Sequence, residues 1–169
     1  MTGRAAQKAE SIKLVALDVD GVMTDGTLFY RAISEPETKP FNIKDGLGIK
    51  LLQRCDIDVA IITGRSSQAL ERRAGELGIA TVIQGREDKG SALEELMKAK
   101  GLSASEVAYM GDDLPDLARS GWRGWPPAPM TRLRLFVSVQ NGSHRYRAGR
   151  ALFGHWPILF CSLRVVFLT

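Results

Sequence analysis

Asp18 and Asp20 stand two residues apart in Asp18-Val19-Asp20-Gly21, directly after the apolar run Leu14-Val15-Ala16-Leu17. The run reads as a strand buried on both faces, and Gly21 frees the backbone to turn where the strand stops. Two carboxylates so placed repel each other and lose hydration, unless a cation or a proton offsets the cost. Taken alone, D-x-D-G is equally an acidic loop that ends a strand. Three further groups bear on the choice. Thr63 opens Thr63-Gly64-Arg65 after the apolar Val59-Ala60-Ile61-Ile62, Asp112 and Asp113 follow Gly111 at the end of another such run, and Lys89 begins a helix between them. In an open parallel sheet the carboxyl ends of the strands meet in one crevice. Carboxylates, a hydroxyl and an ammonium gathered there suit a hard divalent cation, which takes oxygen ligands, and a phosphoryl group, whose charge spreads over three oxygens. A carboxylate can also attack phosphorus and form an acyl phosphate that water cleaves.

The elements that must position these groups follow from the pattern of apolar runs and breakers. Residues 1–11 read as a short helical or frayed lead-in. Thr24 to Phe41 holds two β-prone pieces around a polar turn, which predicts a hairpin over the site, closed by Asp45-Gly46. A helix is expected from Leu47 onward, then a strand over Asp58–Ile62. Ser66-Ser67 should cap a helix ending at Leu77, with Gly78 as its stop. A strand over Ala80–Ile83, an amphipathic helix over Lys89–Lys100 and a strand over Glu106–Met110 complete the series. Strand and helix alternate four times. The fold class is therefore α/β, a Rossmann-like, doubly wound parallel sheet with helices on both faces. Neither G-x-G-x-x-G nor a P-loop pattern is present, which argues against dinucleotide or P-loop chemistry.

Each candidate also has a plainer reading. Asp112 or Asp113 would serve as a helix N-cap, Lys89 as a solvated lysine, and Thr63 as a cap after the second strand. Arg72 and Arg73 fit an exposed helix face. Asp25 and Asp45 precede glycines, as turn formers do, and Cys55 fits a small buried apolar position.

Composition is that of a globular chain, 44% hydrophobic and 25% charged. Cys55 and Cys161 match no metal or disulfide spacing, which suggests a reducing, cytoplasmic setting. The opening residues lack the apolar stretch of a secretion signal, and the apolar stretch from Trp156 is short and holds Arg164, so no membrane span is expected. The net charge of +4 hides an asymmetry. All 19 acidic residues lie at or before Asp116, against 15 basic ones, whereas the 53 residues beyond it hold eight arginines, no lysine and all three tryptophans.

With all the motifs assembled, the sequence resembles the haloacid dehalogenase superfamily of phosphatases. More narrowly, Leu17–Gly26, Phe41–Ile49, Val59–Arg65, Gln84-Gly85 with Lys89, and Gly111–Asp116 resemble the family of 3-deoxy-D-manno-octulosonate (KDO) 8-phosphate phosphatases over residues 10–117. The resemblance implies Asp18 as nucleophile and Asp20 as acid and base. It implies Mg²⁺ held by Asp18, Asp112 and the Asp20 carbonyl, with Thr63 and Lys89 on the phosphoryl oxygens. Asn42, Ile43, Lys44, Asp45, Gly46, Arg65 and Arg73 match substrate-contacting positions. Lys50 stands where the family often has arginine, keeping the charge without the fork geometry. A small cap or none, a sugar-phosphate substrate from lipopolysaccharide synthesis, and a homotetramer whose neighbours help cover each site are further implications. A related keto-sugar acid phosphate as substrate, or an inactive metal- or phosphosugar-binding remnant, are the rival readings.

The resemblance stops after Leu117. Residues 118–169 turn to arginine, proline, glycine and tryptophan, as a shifted reading frame of a GC-rich gene would. A basic tail that binds nucleic acid is the weaker rival. On this reading residues 1–117 are a phosphatase core and 118–169 an atypical tail. The strand ending at Met110 is then expected to keep an unpaired edge.

Overall fold

Apolar runs that alternate with helices build a five-stranded sheet in the computed structural model, which describes residues 11–29, 37–111 and 136–138. In chain order the elements are β1 (Leu14–Leu17), α1 (Ile43–Arg54), β2 (Asp58–Ile62), α2 (Gln68–Leu77), β3 (Thr81–Ile83), α3 (Lys89–Lys100), a 3₁₀ turn (Ala104–Glu106), β4 (Val107–Gly111) and β5 (Phe136–Ser138). The strands are ordered β3-β2-β1-β4-β5. The first four in that order are parallel, with Leu17 beside both Ile61 and Met110, and β5 runs antiparallel to β4.

Period-two alternation splits the core into two layers. Val15, Leu17, Val59, Ile61, Ala108 and Met110 pack with Ile49 and Leu52 of α1 and Leu70, Ala74 and Leu77 of α2. Leu14, Ala16, Ala60, Ile62, Val107 and Tyr109 pack with Ala92, Leu93, Leu96 and Met97 of α3. Both faces of β1 are covered, which is why its four residues are all apolar and buried.

Several expectations are corrected here. Helix α1 begins at Ile43, not at Leu47: the Asn42 side chain accepts the Lys44 N–H at 2.9 Å and caps it. Asp45 and Gly46 are therefore helical and buried rather than a turn, and Leu47 faces outward. Asp25 does form its turn, accepting the Thr27 N–H at 2.9 Å. Ser67 occupies the N-cap position of α2 but makes no side-chain cap bond, while Gly78 ends that helix at φ 68°. Cys55 is only partly buried against the core and is not a free thiol. Cys161 lies outside the described residues. The edge of β4 is not left open, since Tyr109, Met110 and Gly111 pair with Ser138, Val137 and Phe136. The hairpin shows as a Phe29–Thr38 antiparallel bridge. The boundary expected at residue 117 lies outside the described residues.

The entry to β4 is fastened by charge. Glu106 takes the Lys13 ammonium at 2.6 Å, the Ser103 N–H at 2.9 Å and the Ser103 hydroxyl at 2.7 Å. Chiefly the Lys13 bond, then the two from Ser103, push its carboxyl from 4.5 down to about 2. A depressed folded-state value means that this contribution is present above pH 4.5 and is lost as pH falls toward 2. Glu106→Gln should therefore lower the melting temperature at pH 6, with the gap to wild type closing across that window. A gap that stays constant with pH would refute the assignment.

Candidate functional site

The chain leaves β1 at the point where the sheet changes direction. From β1 it steps to β2 and β3 on one side, then returns to β4 on the other side. The crevice at such a switch point is where open α/β sheets hold ligands. Asp18 is the first residue past β1, its N–H bonded to the Met110 carbonyl at 2.8 Å. The chain then curls back on itself: the N–H groups of Val22, Met23 and Thr24 all donate to the Val19 carbonyl at 2.9 to 3.2 Å. Gly21, at φ 83°, supplies the left-handed step that this curl needs.

The Asp18 carboxylate is 2% exposed. Its Oδ1 accepts the Val19 N–H at 2.7 Å and its Oδ2 accepts the Lys89 ammonium at 2.8 Å. Lys89 is itself buried, 6% exposed, as the first residue of α3. Asp88 caps that helix by accepting the Ser91 N–H at 3.2 Å. The solvated-lysine reading of Lys89 is thus overturned, because an ammonium can be buried where a carboxylate meets it. Thr63 is also buried, one residue past β2; its N–H donates to the Ile83 carbonyl at 2.9 Å, and its hydroxyl oxygen accepts the Arg65 N–H at 3.4 Å. It does not cap α2, which starts five residues later at Gln68.

Asp20 is partly exposed and ion-paired on both sides. Lys39 donates to its Oδ1, and the Arg65 Nε lies 3.7 Å from its Oδ2. Glu37 holds Arg65 in place through a 2.6 Å bond to Nη2. Lys39 and Glu37 belong to no motif, and sequence reasoning missed them. A lysine between Thr38 and Pro40 carries no local signal, and only the hairpin's return brings it to Asp20.

The remaining expected residues form a second group. Asn42, Ile43, Lys44, Asp45 and Gly46 are the cap and first turn of α1. Arg73 of α2 reaches that turn, its Nη2 donating to the Asn42 carbonyl at 3.5 Å. Gly46 makes room for it, since a Cβ there would collide with the guanidinium. Arg73 is thus mostly covered, unlike its neighbour Arg72, which is exposed. Lys50 points elsewhere, donating to the Leu77 carbonyl at 2.6 Å and closing the end of α2.

Gly111, the last residue of β4, has no space for a side chain, because a Cβ would lie 2.6 Å from the Tyr109 ring. The sequence then runs into Asp112 and Asp113, which lie outside the described residues. Among the described residues no three His, Cys, Asp or Glu side chains gather as a metal site. What the turn after β1 does present is two carboxylates, those of Asp18 and Asp20. Such donors fit a hard cation that keeps part of its water shell.

Comparison with known proteins gives this geometry its relatives. A KDO 8-phosphate phosphatase of Haemophilus influenzae is 50% identical over 111 residues, 66% of this chain and 61% of that protein. A crystal structure of the Moraxella catarrhalis phosphatase, in complex with magnesium ion, phosphate ion and a KDO molecule, superposes with a TM-score of 0.65 at 50% identity. The match covers 70% of this chain and 68% of that one. The chain belongs to the KDO 8-phosphate phosphatase family. A cobalt-bound structure of the Haemophilus influenzae protein matches with a TM-score of 0.62 at 49% identity, over 67% of this chain and 66% of that one. No family model matches. The chain spans 61% to 66% of the length of the first curated family members that it matches. Among the described residues no helix is long and apolar enough to cross a membrane.

Proposed function

We propose that the chain is a Mg²⁺-dependent phosphatase of a sugar-acid phosphate, with KDO 8-phosphate as its first candidate substrate, working through an aspartyl-phosphate. The observation that carries this reading is the Asp18 carboxylate, buried at the switch point and aimed by Lys89 and the Val19 N–H. One Asp18 oxygen attacks phosphorus as the bond to the sugar oxygen breaks, and Asp20 gives that oxygen its proton. Water then attacks the acyl phosphate and passes a proton to Asp20, freeing phosphate and restoring Asp18. Lys89 and Thr63 meet the charge on the phosphoryl oxygens. Asp18, the Asp20 carbonyl and Asp112 would hold Mg²⁺, which supplies further charge neutralisation when bound.

Substrate selection falls to Arg65, Arg73 and the first turn of α1, from Asn42 to Gly46, on this reading. Lys50 is less suited to that part, since its ammonium is engaged at the end of α2. A homotetramer is part of the proposal, and the exposed Leu28, Phe29, Ile43 and Leu47 are the apolar groups that neighbouring copies would cover.

Phosphate release from a panel of sugar-acid phosphates tests the reading. Turnover should be fastest with KDO 8-phosphate, vanish after exhaustive chelation and return on adding Mg²⁺. No release from any member of the panel would refute the enzyme reading, and full activity after chelation would refute the metal.

A further inference from the structure

Lys39 is outside every motif, yet its side chain is only 4% exposed. A buried ammonium is costly unless its partners compensate it. Its partners are Asp20 Oδ1, to which it donates, and Glu37 Oε2 at 3.9 Å. The two oxygens of Asp20 are consequently unlike. Oδ1 is engaged by a hydrogen bond, whereas among the described residues Oδ2 meets only the Arg65 Nε at 3.7 Å, beyond hydrogen-bond reach. Lys39 is itself anchored, because the preceding Thr38 bridges to Phe29 and the following Pro40 restricts the backbone.

We propose that Lys39 is a positioning residue for the acid–base carboxylate: by fixing Asp20 Oδ1 it leaves Oδ2 as the oxygen that hands the proton to the departing sugar. The inference rests on the phosphatase reading above and deepens it. In the step concerned the phosphorus–oxygen bond breaks, its electron pair stays on the sugar oxygen, and the proton from Oδ2 lands there as Asp18 bonds to phosphorus. The hairpin that delivers Lys39 is then part of the chemistry.

The test compares two substrates. An alkyl sugar phosphate needs its leaving oxygen protonated, and p-nitrophenyl phosphate does not. In Lys39→Met, kcat/KM for KDO 8-phosphate should fall on the order of 10²-fold, the low end for a lost acid, with p-nitrophenyl phosphate changed less than about 5-fold. Because kcat/KM ends at the first irreversible step, the later water attack does not enter. The ratio of the two values is independent of the fraction of chain that folds, so poor folding does not mask the result. Lys39→Arg, which keeps a donor, should restore most of the ratio. Equal losses on both substrates, or no rescue by arginine, would overturn the role. A wild-type chain that hydrolyses neither substrate would instead overturn the phosphatase reading, and this role with it.

Discussion

Asp18→Asn is expected to remove phosphate release altogether, a loss on the order of 10⁵–10⁶-fold, the scale seen when a covalent nucleophile is deleted. An amide oxygen does not attack phosphorus to give a hydrolysable acyl phosphate, so no residual route through this position remains. The variant should still fold. The asparagine oxygen can accept from either the Val19 N–H or Lys89, which now bond the two carboxylate oxygens. Little shape is lost, but the buried Lys89 ammonium loses this counter-ion, so the variant should be folded yet less stable than the wild type. Acid quench of the wild type during turnover should trap phosphate on Asp18, and the variant should trap none. Activity above a trace in the variant would rule out the covalent pathway.

Lys89→Met should be the most damaging change to stability. It leaves the Asp18 carboxylate buried with only the Val19 N–H among its described partners. Removing one partner of a buried ion pair costs about 3–5 kcal/mol, because the other charge stays dehydrated. For a domain of this size that is a melting temperature lower by roughly 10 °C or more. The double variant Lys89→Met with Asp18→Asn should recover part of the loss, since the orphaned charge is then gone. Calorimetry of the four proteins decides the matter. Strictly additive losses would mean that the two side chains do not interact as the geometry requires.

What could be read in the sequence was what repeats or is written locally. Alternating apolar runs placed β1 to β4, and Gly78 and Gly101 marked helix ends where both adopt left-handed backbone. The motif residues Asp18, Thr63 and Lys89 were legible because each sits directly at a strand or helix end. What escaped was set by partners far away in the chain. The Asp45-Gly46 pair looks like a turn locally, but Asn42 caps a helix ahead of it and Arg73, from another helix, packs onto Gly46. The burial of Lys89 depends on Asp18, 71 residues earlier. Lys39 depends on a hairpin fold-back that no spacing rule encodes. The partner of the β4 edge lies within residues 133–139, an apolar run that reads as a possible strand, but no turn chemistry ties that run to the sheet and so its pairing could not be read.

The grip of α1 on the end of α2 bears on how the molecule opens. Lys50 and Gln53 donate to the Leu77 and Gly78 carbonyls at 2.6 and 3.3 Å, filling acceptors that a helix terminus normally leaves to water. Fraying of α2 from that end must break contacts with its neighbour, so the two helices should exchange their amide hydrogens as one cooperative unit. Helix α3, packed in the other core layer, shares none of these bonds and is free to open as a separate unit. Sub-global opening would then expose one face of the sheet at a time, and the residues of the site, drawn from both faces, would be parted by either event.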